Sequence, residues 1–343
     1  MEAIGLELAL RKEEISEPIE TIYFGGGTPS LLSSEEIKTL LKLIETNFEV
    51  IKDPEITLEA NPDDLDALKL EEFASTKINR LSIGVQSFFE EDLKLMNRSH
   101  TASEAMASIS LAKKYFENIS IDLIYGIPGM SASRWSQNLQ MAFDLKVPHL
   151  SCYALTVEPR TALENFIKKG IVSPVEDEVA KAHYEILLTE TKMRGYENYE
   201  FSNFGKKGYH SRNNTAYWQG KSYLGVGPSA HSFDGKTRSW NVRNNAKYIK
   251  AIAQQELPLE REILSTTDRY NEYMMTSLRT KWGISLAKVE QEFGLPFKEY
   301  MLQQAKTHLQ DGLLILEGDT LCVSHSGKFL SDGISSDLFL VNL

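Results

Sequence analysis

The sequence predicts an α/β protein: a parallel sheet with helical crossovers, followed by a smaller C-terminal domain of helices and a hairpin. Three observations carry this expectation. Short apolar, β-branched runs recur through residues 1–204. Segments with helix start signals and a 3.6-residue apolar rhythm separate them. Glycine or polar residues stand where each run stops. The runs are nearly continuous in Ile, Leu, Val and Tyr, as a sheet buried on both faces requires.

Taken in order, the run at 21–24 ends at Gly25-Gly26-Gly27, and that at 55–58 ends at Glu59-Ala60-Asn61-Pro62. The run at 80–85 ends at Gln86-Ser87, 119–125 at Gly126-Ile127-Pro128-Gly129, and 149–155 at Thr156-Val157-Glu158-Pro159. A sixth, weaker strand candidate is 197–204. Residues 1–14 read as an amphipathic acidic helix. Ser33-Ser34-Glu35-Glu36 opens another, with Ile37, Leu40, Leu41 and Ile44 on one face. Further helices are expected near 64–74, 89–96, 102–116, 132–145 and 175–194.

The alternation stops near residue 205. Residues 205–234, rich in Gly, Asn, Ser and aromatics, read as a long structured loop or short hairpins. Helices are expected near 269–280, 286–293 and 297–311, and two short strands over 312–323 around a Glu317-Gly318-Asp319 turn. The expected division is a sheet domain over 1–204, a loop-rich connection over 205–265 and a winged-helix-like domain over 266–343.

The 343-residue chain is 42% hydrophobic and 25% charged, an ordinary globular composition long enough for a full core. No apolar run approaches the ~18 residues of a membrane span. The first residues carry neither the basic nor the apolar region of a secretory signal. A net charge of −11 argues against a general nucleic-acid or anionic-membrane binder and favours packing or lid duty for the C-terminal domain over DNA reading. The two cysteines, Cys152 and Cys322, suit a reducing cytoplasm and rule out a disulfide scaffold. They also lie too far apart in sequence to form a local iron–sulfur loop.

In sheets of this kind ligands bind at the C-terminal strand ends, where Gly26, Gly27, Thr28, Glu59, Gln86 and Asp122 fall. Three consecutive glycines allow close backbone approach to a ligand and exceed what a strand–helix turn needs, although a tight turn is the plain alternative. The loop is neither a Walker loop nor a Rossmann fingerprint. Glu59 suits an amino group or ribose hydroxyls, or is a solvated loop carboxylate. Gln86 offers a neutral amide that donates and accepts. Arg98, taken alone, is a surface residue. Asp122 inside an apolar strand needs partners, because an unpaired buried charge is costly. Residues 212–218 and 225–232 hold side chains suited to a flat aromatic ligand or to packing the base of a loop.

Together these segments are more specific than any one alone. The succession Gly25-Gly26-Gly27-Thr28-Pro29-Ser30, Glu59-Ala60-Asn61-Pro62, Gly84-Val85-Gln86-Ser87, Asn97-Arg98, 122–129, Tyr153-Ala154-Leu155 and 227–232 resembles the oxygen-independent coproporphyrinogen III oxidase family of radical S-adenosylmethionine (SAM) proteins. The likeness runs from about residue 21 to the C-terminus and is greater to the haem-chaperone branch. It implies a partial (β/α)6 barrel with a small helical domain, and SAM lying across the strand ends. Gly26, Gly27 and Thr28 would meet its methionine end, Glu59, Gln86, Arg98 and Asp122 would belong to the same site, and Ala154 would lie beside the adenosine. Haem or another porphyrin, and a haem-acceptor protein, are the further partners implied.

Family members bind a [4Fe–4S] cluster through a Cys-x3-Cys-x2-Cys loop that this chain lacks. The resemblance therefore implies a chain that begins inside the fold, without the first strand and the cluster loop. As written it is expected to be redox-inactive, with a sheet edge that needs a partner or dimer. The branch's His-Asn-x-x-Tyr-Trp reads Asn213-Asn214-Thr215-Ala216-Tyr217-Trp218 here, with His210 three residues upstream as a substitute. The alternatives are coproporphyrinogen oxidation by a full-length form and a non-catalytic SAM- or tetrapyrrole-binding protein.

Overall fold

A computed structural model describes residues 1–159 and 161–341. The last two residues of the expected C-terminal domain lie outside it. The chain forms two compact units, one of residues 21–37 and 55–211, the other of residues 1–20, 38–54 and 212–343.

The first unit carries most of a seven-stranded sheet in the order β1-β2-β3-β4-β5-β7-β6. Its strands are β1 (Ile19–Phe24), β2 (Val50–Ala60), β3 (Arg80–Gln86), β4 (Asn118–Tyr125), β5 (His149–Ala154), β6 (Glu197–Glu200) and β7 (Asn203–Gly205). From β2 to β5 the strands are parallel, and β7 and β6 close that end antiparallel. The single strand expected over 197–204 is thus a hairpin. Phe201 and Ser202 turn the chain, and the Asn198 amide reaches the Glu200 carbonyl where the register shifts. The sheet is that of a partial barrel.

The strands read as apolar runs because they are covered on both faces. Leu81, Ile83, Val85, Ile119, Ile121, Leu123 and Leu150 are fully buried. The crossovers include α2 (Ser34–Asn47), α3 (Ala67–Ala74), α4 (Glu90–Leu95), α5 (Ala102–Ala112), α6 (Ala132–Asp144), α7 (Ala162–Lys168) and α8 (Asp177–Met193), after an N-terminal α1 (Glu2–Leu10). Their starts are set by caps. Asp66 caps α3, Thr101 and Glu104 form a capping box on α5, and Ser131 caps α6. Each such cap contributes about 1 kcal/mol. The α7 turn, missed in the sequence, is a short helix capped by Thr161.

The second unit continues with α9 (Arg212–Trp218), β8 (His231–Phe233), β9 (Thr237–Asn241), α10 (Asn245–Ala253), β10 (Leu259–Ile263) and α11 (Thr266–Leu278). It ends with β11 (Ile284–Ser285), α12 (Leu286–Phe293), α13 (Leu295–Gln310), β12 (Leu314–Glu317), β13 (Thr320–Val323) and α14 (Ser331–Asp337). Two three-stranded antiparallel sheets result, β10-β9-β8 and β11-β13-β12. The expected hairpin at Glu317-Gly318-Asp319 is β12–β13, with Gly318 at a positive φ of 61°. Tyr270, Met274, Leu278, Ile284, Val289, Met301 and Leu321 form the core of the C-terminal helices.

The N-terminal helix departs from expectation. It is not a simple amphipathic surface helix, because Glu7 within it and Arg11 at its C-terminal cap are buried. One Glu7 carboxylate oxygen accepts from Arg11 (3.0 Å) and from the Asn241 amide (2.7 Å). The other accepts from the Gly227 N–H (2.8 Å) and the Tyr248 hydroxyl (2.5 Å). Arg11 donates onward to the Gly225 carbonyl (2.8 Å) and the Ser232 hydroxyl (2.9 Å). The buried pair persists because every charged atom has partners.

Candidate functional site

At the C-terminal ends of β1 to β4 lies a polar cavity of about 190 Å³. Gly27, Thr28, Glu59, Gln86, Arg98 and Asp122 line it, together with Ser30, Asn61, Ser82 and Gly84. Six of the eight residues expected to bind the cofactor therefore meet in one place. Gly26 adjoins through its backbone. Ala154 does not line the cavity: it is exposed at the end of β5, in register with Tyr125.

The loop after β1 is built to leave backbone polar groups accessible. Gly26 and Gly27 adopt φ of 74° and 66°, a region that L side chains avoid. The Gly26 N–H donates to Glu59 at 3.1 Å, and the Tyr23 hydroxyl donates to its other oxygen at 2.7 Å. Glu59 is thus fixed rather than solvated freely, with lone pairs left for a ligand. Burial, then the charge of Glu59, pushes the Tyr23 phenol far above its ordinary value, so Tyr23 remains a donor.

Arg98 is a cavity residue, not a free surface cation. Its guanidinium donates to the Asn61 side chain at 3.1 Å and to the Gly84 carbonyl at 3.3 Å. Asn61 and Ser30 in turn both donate to Asp64, at 3.3 and 2.6 Å. Gln86 carries a positive φ of 68°, a conformation that costs a non-glycine residue about 1–3 kcal/mol. It sits where the β3–β4 register slips, so a bulge redirects the end of β3 towards the cavity. A Cβ at Gly84 would stand 3.0 Å from the Gln86 amide nitrogen and 3.4 Å from an Arg98 nitrogen, so the glycine makes room for both.

Asp122 has the partners its position in the strand demanded. The Ser82 hydroxyl donates to it at 3.4 Å, and Ser151, which donates to Asn203, lies opposite it in register on β5. Burial raises its pKa to about 7, the charge of Glu59 adds to the rise, and the two serines and Arg80 oppose it. Tyr23 and Ser82 were missed in the sequence. A hydroxyl one residue before the end of a strand, or midway along an apolar one, was the only signal available.

The donor set suits a ligand with an ammonium group and further polar edges: two carboxylates, one of them titrating near neutrality, a fixed guanidinium, an amide and glycine backbone. It does not suit an iron–sulfur cluster. Among the described residues no three His, Cys, Asp or Glu side chains converge on a metal position. Cys152 is buried in β5, where burial and then Asp122 hold its thiol well above the ordinary value. Cys322, in β13, belongs to the other unit, and burial raises it too.

His210 is committed elsewhere, stacked on Tyr199 with 4.3 Å between ring centroids and 3.2 Å from Glu197. Asn213 lies half-buried in α9.

Residues 6–142 match the radical SAM superfamily and residues 264–330 match the HemN C-terminal domain. "Heme chaperone HemW" of Bacillus subtilis (strain 168) is 34% identical over 319 residues, covering 92% of this chain and 84% of the relative. The Lactococcus lactis (strain IL1403) protein of the same name is 33% identical over 326 residues, covering 94% and 86%. Among solved structures, coproporphyrinogen III oxidase (HemN) from Escherichia coli, described as a radical SAM enzyme, aligns with a TM-score of 0.84. The alignment has 24% identity and covers 98% of this chain and 82% of that one. At that identity the likeness shows a shared fold.

Proposed function

The chain belongs to the HemW family of haem chaperones within the radical SAM superfamily, and on that premise we propose that it binds SAM at the strand ends of the barrel and haem for delivery to an acceptor protein. The observation that carries the SAM half is Glu59, held by the Gly26 N–H and the Tyr23 hydroxyl at the rim of a cavity shared with Asp122. SAM would supply an amino acid end and a sulfonium for these groups to meet.

In this reading Glu59 accepts from the ammonium group, while Gly26, Gly27 and Thr28 border the methionine end. Arg98 and Gln86 orient the remaining polar edges. Asp122 places a negative charge opposite the cation, and Ala154 lies towards the adenosine. The described residues do not supply the thiolates of an iron–sulfur cluster. A cytoplasmic location agrees with the unpaired cysteines, and among the described residues no helix is long and apolar enough to cross a membrane.

Calorimetry with SAM and a haemin titration test the two halves separately. SAM is expected to bind the wild type, and Glu59→Gln to weaken it about tenfold or more, the worth of one charge-assisted hydrogen bond. Absence of SAM binding would refute the first half. Absence of haemin binding would refute the second.

A further inference from the structure

Resting on the haem-chaperone reading, we propose that His231 is the ligand this chain presents to haem iron, on an aromatic face of the β8–β9–β10 sheet. Haem iron takes imidazole, thiolate, thioether or phenolate donors, and the structure narrows the imidazoles. His100 contacts the Val85 carbonyl at 3.0 Å, and His149 is bonded through both ring nitrogens to Ser120 and Tyr199. His183 accepts from the Gly126 N–H, His210 is stacked on Tyr199, and His308 pairs with Asp337. His325 has a partner as well. Among the described residues His231 is the histidine that is exposed with both ring nitrogens unengaged; its contact is a tilted one with the Trp240 ring, at 6.2 Å.

Strand alternation explains why it points outwards. Ser232, Ser239 and Asn241 are buried on the face towards the Glu7–Arg11 pair. The intervening residues of β8 and β9 take the opposite face. There His231 pairs in register with Trp240, and Phe233 with Arg238. An isolated bridge from Tyr223 to Phe233 extends the same face.

Aromatic rings continue from there. Tyr223 lies 6.2 Å from Phe233, and the half-exposed Tyr217 of α9 lies 5.7 Å from Tyr223. A free imidazole beside a succession of flat rings matches a planar apolar macrocycle whose metal needs an axial nitrogen. Arg238, held at 2.8 Å by Glu272, places a guanidinium on that face for a carboxylate-bearing ligand.

The test titrates haemin into the full chain and follows the absorption and electron paramagnetic resonance spectra. The wild type is expected to show a nitrogen-ligated signature. His231→Ala and His231→Gln should lose it and bind haemin at least about tenfold more weakly, the lower end of what a lost metal-site support costs. Added imidazole should restore the signature of the haemin that stays with His231→Ala through gel filtration in imidazole buffer, and a circular dichroism spectrum unchanged from wild type excludes misfolding. His325→Ala, removing another exposed imidazole, should behave as wild type. A wild type that takes up no haemin overturns the haem-chaperone reading and this inference with it. Haemin bound with an unchanged spectrum in His231→Ala overturns the ligand assignment alone.

Discussion

The chemistry of the cavity turns on Asp122. Its folded pKa, about 7, lies above the ordinary carboxylate value because burial and Glu59 both disfavour the anion. A group raised on folding stabilises the protein fully at pH values below its unfolded pKa. That contribution is lost as pH rises through the folded pKa. The ligand-free wild type should therefore lose stability between about pH 4 and 7 relative to Asp122→Asn, as urea melts would register. A cationic ligand prefers the ionised form, so SAM affinity should rise about tenfold from pH 6 to pH 8 in the wild type and stay flat in Asp122→Asn. An equal pH dependence in both proteins would remove Asp122 from the site. The sequence marked Asp122 because a carboxylate inside an apolar strand is costly. It could not supply Ser82 and Ser151 as neighbours, since they stand on the two flanking strands, 40 and 29 positions away in the chain, Ser151 in register with Asp122 and Ser82 with Ser120.

At the scale of elements, α1 is fastened by an ion pair rather than by an apolar stripe. Breaking one side of a buried pair leaves an uncompensated charge, so Glu7→Leu or Arg11→Met alone should each cost about 3–5 kcal/mol. The double variant should recover only part of that loss: the desolvation penalty of both ions disappears together, but the Gly227 N–H, the Asn241 amide and the Tyr248 hydroxyl lose their acceptor. Denaturant unfolding of the three variants checks it, and additive losses would contradict the account. The sequence read this helix correctly as a helix. It could not show that Glu7 and Arg11 are buried, because their partners lie 214 to 241 residues later. The crossover helices were legible from their own residues, since Thr101 with Glu104, or Ser33 with Glu36, close a cap within one turn. The 197–204 hairpin and α9 carried no such local punctuation, whereas α10 has a local cap, Asn244 accepting from the Lys247 N–H, inside a stretch that read as loop.

For the molecule as a whole, two separated cysteines limit the iron–sulfur chemistry that this chain's own residues can support. Cys152 is sealed in the sheet and Cys322 sits in a different unit, both with raised thiols. Anaerobic incubation of this chain with ferrous iron and sulfide should leave no stoichiometric cluster on it, measured as protein-bound iron and sulfide after desalting. Stoichiometric retention would show that other donors substitute for the thiolates. The sequence by itself determined the order of strands and crossovers, the glycine loop, the polar residue at each strand end and the shortage of thiolates, because each depends on local pattern or on simple counting. Only the tertiary structure decided that Arg98 belongs to the cavity while Ala154 does not line it, that α1 hides an ion pair, and that His231 stands free while His210 does not. Those outcomes depend on which distant chains bring hydrogen-bond partners and cover to a side chain, and periodicity along one strand or helix does not encode them.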